Sequence, residues 1–120
     1  MGKYSLDING TVYKNFTEEY LKSSLVAMLD GEPGEDNFLI LDPEEPIQNS
    51  IYIQTWYENG VFDIETRILH ADGSYTHYLY KTFSLEEAVK IFTEYYLYQK
   101  LPNITEWQDI TETVSHLTEI

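Results

Sequence analysis

The dipeptide Asn59-Gly60 constrains this chain more than any other feature, because it lies between two strand-like runs, Ser50 to Tyr57 and Val61 to Leu69. Both residues tolerate positive φ, so the pair suits a two-residue type I′ turn whose twist matches the flanking strands. That turn dictates register. With Glu58 opposite Val61, Tyr57 faces Phe62, Thr55 faces Ile64, Ile53 faces Thr66 and Ile51 faces Ile68. One face of the hairpin is then almost wholly apolar, while the other pairs Trp56 with Asp63, Gln54 with Glu65 and Tyr52 with Arg67. A slip of one residue would exchange the faces, so turn chemistry and polarity support the same pairing.

A second turn signal, Asp72-Gly73, precedes Ser74 to Lys81 and extends the hairpin to a three-stranded meander. A two-residue turn there sets Tyr78 and Tyr80 beside Arg67 and Glu65 on the mixed face, with His77 and Leu79 toward the core. A bulge would reverse the assignment, and the unbulged register is the expectation. Upstream, Tyr4-Ser5-Leu6-Asp7-Ile8 reads as a short strand ending at Asn9-Gly10. Tyr20, Leu21, Leu25, Met28 and Leu29 recur at helical spacing, with Asn15 or Thr17 as cap and Asp30-Gly31-Glu32-Pro33-Gly34 as the stop. The run Phe38-Leu39-Ile40-Leu41 reads as a buried strand between acidic loops. Ser84-Leu85-Glu86-Glu87 matches a capping box, and Leu85, Ala88, Val89, Phe92 and Tyr96 behind it form a helical stripe able to cover the apolar face of the meander. After Pro102-Asn103, the segment Ile104 to Ile110 reads as a last strand or turn carrying Trp107.

A chain of 120 residues holds one hydrophobic core, so residues 1–120 are expected to form a single domain. Its class is α+β: an antiparallel meander of four to five strands packed against two helices, near residues 16–29 and 85–98.

Seven Lys and Arg against 21 Asp and Glu give a formal charge of −14. Such a field repels nucleic acid and anionic lipid and speeds encounter with basic partners. Neither nucleic acid nor a membrane is therefore an expected direct partner. There is no cysteine, which excludes thiolate metal sites and disulfides and fits a reducing compartment. No apolar run approaches the roughly 18 residues of a membrane span, nor does Met1-Gly2-Lys3-Tyr4 begin a secretory signal, so the expected location is the cytoplasm.

The chemistry of catalysis is not visible. His70, His77 and His116 lack zinc-site spacing, and the acidic stretch from 30 to 46 lacks the alternation of an EF-hand loop. No Gly-x-Ser-x-Gly elbow, phosphate loop or dinucleotide fingerprint occurs. Asp63 and Glu65 share one side of a strand, but an open sheet beside Arg67 suits solvated ions rather than an acid-base pair. The expectation is therefore no catalytic residue, no metal and no cofactor.

What stands out instead is the mixed face: Tyr52, Trp56, Asp63, Glu65, Tyr78 and Tyr80 are the expected partner-binding residues. Aromatic rings bury much area at little entropic cost, and carboxylates meet Lys and Arg of a basic protein.

The segment from Ile51 to Thr111 resembles small bacterial immunity proteins of polymorphic and contact-dependent toxin systems. The resemblance rests on Trp56-Tyr57-Glu58-Asn59-Gly60, on Phe62-Asp63-Ile64-Glu65-Thr66-Arg67, on the helix entry Thr82-Phe83-Ser84-Leu85-Glu86-Glu87-Ala88, and on Trp107-Gln108-Asp109. It implies a non-enzymatic inhibitor that binds a cognate, basic toxin domain. The acidity also leaves room for a DNA-mimicking anti-nuclease or anti-restriction protein, which would need carboxylates spaced like phosphates. A small ligand-binding domain would instead show a deep pocket lined by Tyr and His.

Overall fold

The structure, a computed structural model, describes residues 3–32, 35 and 37–118. Pro33 and Gly34 of the expected turn and Asp36 of the acidic stretch lie outside the described residues. Along the chain run β1 (Tyr4–Ile8), β2 (Thr11–Tyr13), α1 (Glu18–Ala27), a 3-10 turn (Met28–Asp30), β3 (Phe38–Pro43), β4 (Ser50–Glu58), β5 (Val61–Leu69), β6 (Tyr75–Thr82), α2 (Leu85–Tyr98), β7 (Gln108–Asp109) and α3 (Thr111–Thr118). The seven strands form one sheet in the order β2-β1-β3-β4-β5-β6-β7, every described pair antiparallel. The α+β class is thus observed, and the sheet is wider than four or five strands because short edge strands flank the central ones. Among the described residues, no helix is long and apolar enough to cross a membrane.

The turn at Asn59-Gly60 has φ of 53° and 81°, both left-handed as a type I′ hairpin requires. It sets Glu58 opposite Val61 and carries the expected register through Tyr57–Phe62, Trp56–Asp63, Thr55–Ile64 and Gln54–Glu65 to Ile53–Thr66. Beyond that the register shifts: Ser50, rather than Ile51, stands opposite Ile68. This bulge turns the Ser50 hydroxyl inward, where it meets Thr66 Oγ1 at 2.6 Å and the Tyr95 hydroxyl at 2.9 Å.

Asp72-Gly73 behaves differently. The His70 amide donates to the Ser74 carbonyl at 2.8 Å, closing a three-residue loop, and Gly73 takes φ of 89° at its end. Such a loop inserts one residue relative to a two-residue turn and shifts the pairing by one. Tyr78 therefore stands opposite Thr66, and Tyr80 opposite Ile64. The expected placement of Tyr78 and Tyr80 on the mixed face is corrected: both lie on the helix-covered side, and His77 and Leu79 take the mixed face opposite Arg67 and Glu65.

Both long helices pack on one face of the sheet and against each other. Leu21, Leu25 and Met28 from α1 and its following turn meet Ala88, Phe92 and Tyr95 of α2 over Leu6, Leu39, Leu41, Ile53, Phe62 and Ile64 from the sheet. All are at most 3% exposed, so this single layer holds the core. Polar groups within it are paired: the Tyr4 hydroxyl donates to the Tyr95 carbonyl at 3.0 Å, and Tyr95 reaches Ser50. No described buried side-chain nitrogen or oxygen lacks a partner, as burial demands.

The helix entries follow the sequence. Thr17 Oγ1 accepts from the Tyr20 amide, and Ser84 Oγ accepts from the Glu87 amide, both at 3.1 Å. Only half of the expected capping box forms, however. The Glu87 carboxylate accepts the Tyr80 hydroxyl at 2.8 and 2.9 Å, while the Ser84 amide turns to Thr82 Oγ1.

Candidate functional site

With α1 and α2 on the same side, the opposite face of the sheet is left without a long helix over it. One row of side chains crosses it through Asp7, Ile40, Gln54, Glu65 and Leu79, each opposite the next in register. A second row runs Phe38, Trp56, Asp63 and Lys81. Strand alternation places these residues away from the core positions Leu39, Leu41, Ile53, Thr55, Phe62 and Ile64. The face is neither a charged solvated surface nor a second core: its residues are mostly half-buried, with Trp56 at 40% exposure and Lys81 exposed.

Trp56 is the aromatic centre of the second row. Phe38 on β3 packs against it, the rings tilted by 38° with centroids 5.0 Å apart, and Asp63 flanks it from β5. Asp63 Oδ1 accepts Lys81 Nζ at 3.1 Å, an open ion pair whose side chains are 35% and 61% exposed. Pairs this exposed stabilise by no more than about 1 kcal/mol, so Asp63 is readily available to another cation.

A tighter cluster occupies the β5–β6 side. His77, 2% exposed, has Nε2 2.6 Å from Glu65 Oε1, while Arg67 Nε donates to its Nδ1 at 3.2 Å. An imidazole that accepts at Nδ1 and donates at Nε2 is the neutral tautomer, so the cluster holds one anion and one cation around a neutral ring. The Arg67 guanidinium carbon lies 4.1 Å from the Tyr75 ring centroid and 5.9 Å from that of Tyr52, an arginine held between two aromatic rings. Burial pushes the Tyr52 phenol above its ordinary value, with Arg67 pulling it back. The backbone of His77 also fixes the C-terminal segment. Its amide donates to Thr111 Oγ1, and its carbonyl accepts the Ile110 amide, both at 2.8 Å.

Of the residues expected from sequence to share a binding face, Tyr52, Trp56, Asp63 and Glu65 are brought together, and Tyr78 and Tyr80 are not. Tyr80 instead stacks on Trp107 at 5.3 Å and 13° at the margin of the core. The structure adds Phe38, Lys81 and the buried His77. Phe38 lay inside the apolar run 38–41, where continuous hydrophobicity hides which residues point outward. His77 would have been found had the Asp72-Gly73 loop been counted as three residues.

A cavity of about 770 Å³ lies elsewhere, beside the start of β1. Lys3, Lys14, Asp42 and Glu44 line it above Tyr4, Phe16 and Tyr96, and no histidine reaches it. The Tyr4 and Tyr96 hydroxyls donate to the Tyr95 and Phe16 carbonyls, and burial raises the Asp42 carboxyl above its ordinary value while Lys14 pulls it back.

No family model, no curated protein and no solved structure matches this chain.

Proposed function

We propose that this protein binds a basic partner protein through the open face of its sheet and neutralises it stoichiometrically, acting as an inhibitor rather than an enzyme. The observation that carries this reading is the one-sided packing of the helices. It leaves Trp56, Tyr52, Asp63 and Glu65 on a broad face of a chain whose formal charge is −14. A cognate toxin domain is the partner that the resemblance to immunity proteins implies, and a cytoplasmic, bacterial setting goes with it.

Half-buried aromatics among carboxylates favour a protein surface, since the rings offer anchors and the acids steer Lys- and Arg-rich patches into place. A mimic of nucleic acid is less well supported, because Arg67 and Lys81 interrupt the acidic groups on this face. The test is affinity capture from lysate of the source cells at low and moderate salt, run in parallel with a Trp56→Ala/Asp63→Lys variant. One basic protein retained at moderate salt in equimolar amount by the native chain, and lost by the variant, is the expected result. Many basic proteins bound only at low salt, equally by both, would overturn the reading.

A further inference from the structure

We infer that the Trp56–Asp63 corner of the open face is a socket for a single arginine side chain of the partner, with Lys81 as the internal cation that occupies it beforehand. This rests on the proposed function and specifies its chemistry. Trp56 is flanked by Phe38 on one side and by Asp63 on the other, and the residue is 40% exposed. Glu58, two residues along β4 on the same side of the sheet as Trp56, is exposed as well and adds a second acidic residue to this corner. The one cation described within reach is Lys81, on Asp63 Oδ1 at 3.1 Å and 61% exposed.

The same face already holds an arginine in this manner. Arg67 lies between Tyr75 and Tyr52 while donating to His77, so ring faces plus one acceptor suffice to seat a guanidinium here. At Trp56 the ring is larger and the acceptor is a carboxylate, which can take two N–H groups at once. A guanidinium is planar and weakly hydrated and can stack and bridge together. An ammonium can do only one of these well, which is why Lys81 sits on the carboxylate and is displaceable.

The chain has two tryptophans, so its two indole N–H signals report on separate places: Trp56 in the socket, and Trp107, buried against Tyr80, as internal control. The ¹⁵N-labelled protein is titrated with L-argininamide and, at matched ionic strength, with L-lysinamide. Argininamide is expected to shift the Trp56 signal saturably and leave Trp107 still, with lysinamide weaker by about fivefold or more. Asp63→Asn should weaken argininamide by about fivefold, and Lys81→Met should strengthen it by about two- to threefold. Equal response to both amides, no saturation at Trp56, or indifference to Asp63→Asn would overturn the socket. If the captured partner still binds in a Trp56-dependent way, that result leaves the proposed function standing; if Trp56 is irrelevant to capture as well, both fall.

Discussion

On the helix-covered face, Leu6, Leu41, Ile53 and Phe62 meet α1 and α2 with no accessible surface, and the hydroxyls of Ser50, Thr66 and Tyr95 close on one another. On the open face, the alternate residues of the same strands are Ile40, Gln54, Trp56, Asp63 and Glu65, half-buried or exposed, with Asp63 paired to Lys81 and Glu65 to His77. Strand alternation delivers both sets from one sequence, so the difference lies in what covers them. The covered face is satisfied within the chain. The open face keeps rings and carboxylates that are tightly paired near His77 and more loosely at Asp63, and it is the face proposed above for recognition.

The sharpest way to break this contrast is to hollow the covered face. Phe92→Ala should cost about 3–5 kcal/mol in denaturant unfolding, since a fully buried ring leaves a cavity as well as lost transfer energy. A cost under about 1 kcal/mol would mean that the core is not organised around α2. Next in size is His77→Ala, expected to cost about 1–3 kcal/mol by leaving the Glu65 carboxylate and Arg67 without their shared partner. This is the one place where the open face should resemble the covered one. Trp56→Ala should cost no more than about 1 kcal/mol in stability despite its loss of contact with Phe38, because its ring is already partly solvated.

The pH dependence sharpens the contrast at smaller amplitude. Burial holds the Tyr95 phenol far above its ordinary value of 10.0, and burial likewise raises Tyr4. A group raised on folding favours the folded state fully below its unfolded pKa, so stability should be level up to about pH 10 and fall above it. Tyr95→Phe should flatten that alkaline fall in thermal unfolding. At the acid end, the Ser74 hydroxyl and amide hold Asp72 below its ordinary 3.8, and Thr111 does the same for Asp109. Groups lowered on folding lose their contribution as pH falls through the folded value, so Asp72→Ala should have the smallest effect of all, a slight loss at neutral pH that disappears as the pH drops below about 4.

How much of this was legible in the sequence differs between the two hairpins. Asn59-Gly60 specified its turn, since both residues had to accept positive φ, and the register followed as far as Ile53–Thr66. Asp72-Gly73 serves a two-residue turn and a three-residue loop alike, and only the His70–Ser74 pairing distinguishes them. That ambiguity of one residue moved Tyr78 and Tyr80 off the candidate face and brought His77 onto it. The Ser50 bulge was hidden for a related reason: Ile51 fits either face by hydrophobicity, while the inward pull comes from Tyr95, 45 residues away. The capped helix Leu85–Tyr98 was legible to its ends because cap and stripe are local. The last strand or turn expected over Ile104 to Ile110 is the two-residue strand β7, whose exact place within that segment is set by its pairing with β6 rather than by a local pattern.

The most direct test is the affinity of the captured partner for three forms of the protein: native, Trp56→Ala/Asp63→Lys on the open face, and Tyr98→Ala at the exposed end of α2. If the open face is the recognition surface, the double variant, folded as judged by its unfolding transition, should bind about a hundredfold or more weakly, and Tyr98→Ala should bind as the native chain does. Native-like affinity for the double variant together with a large loss for Tyr98→Ala would contradict the assignment and move recognition to the helical side.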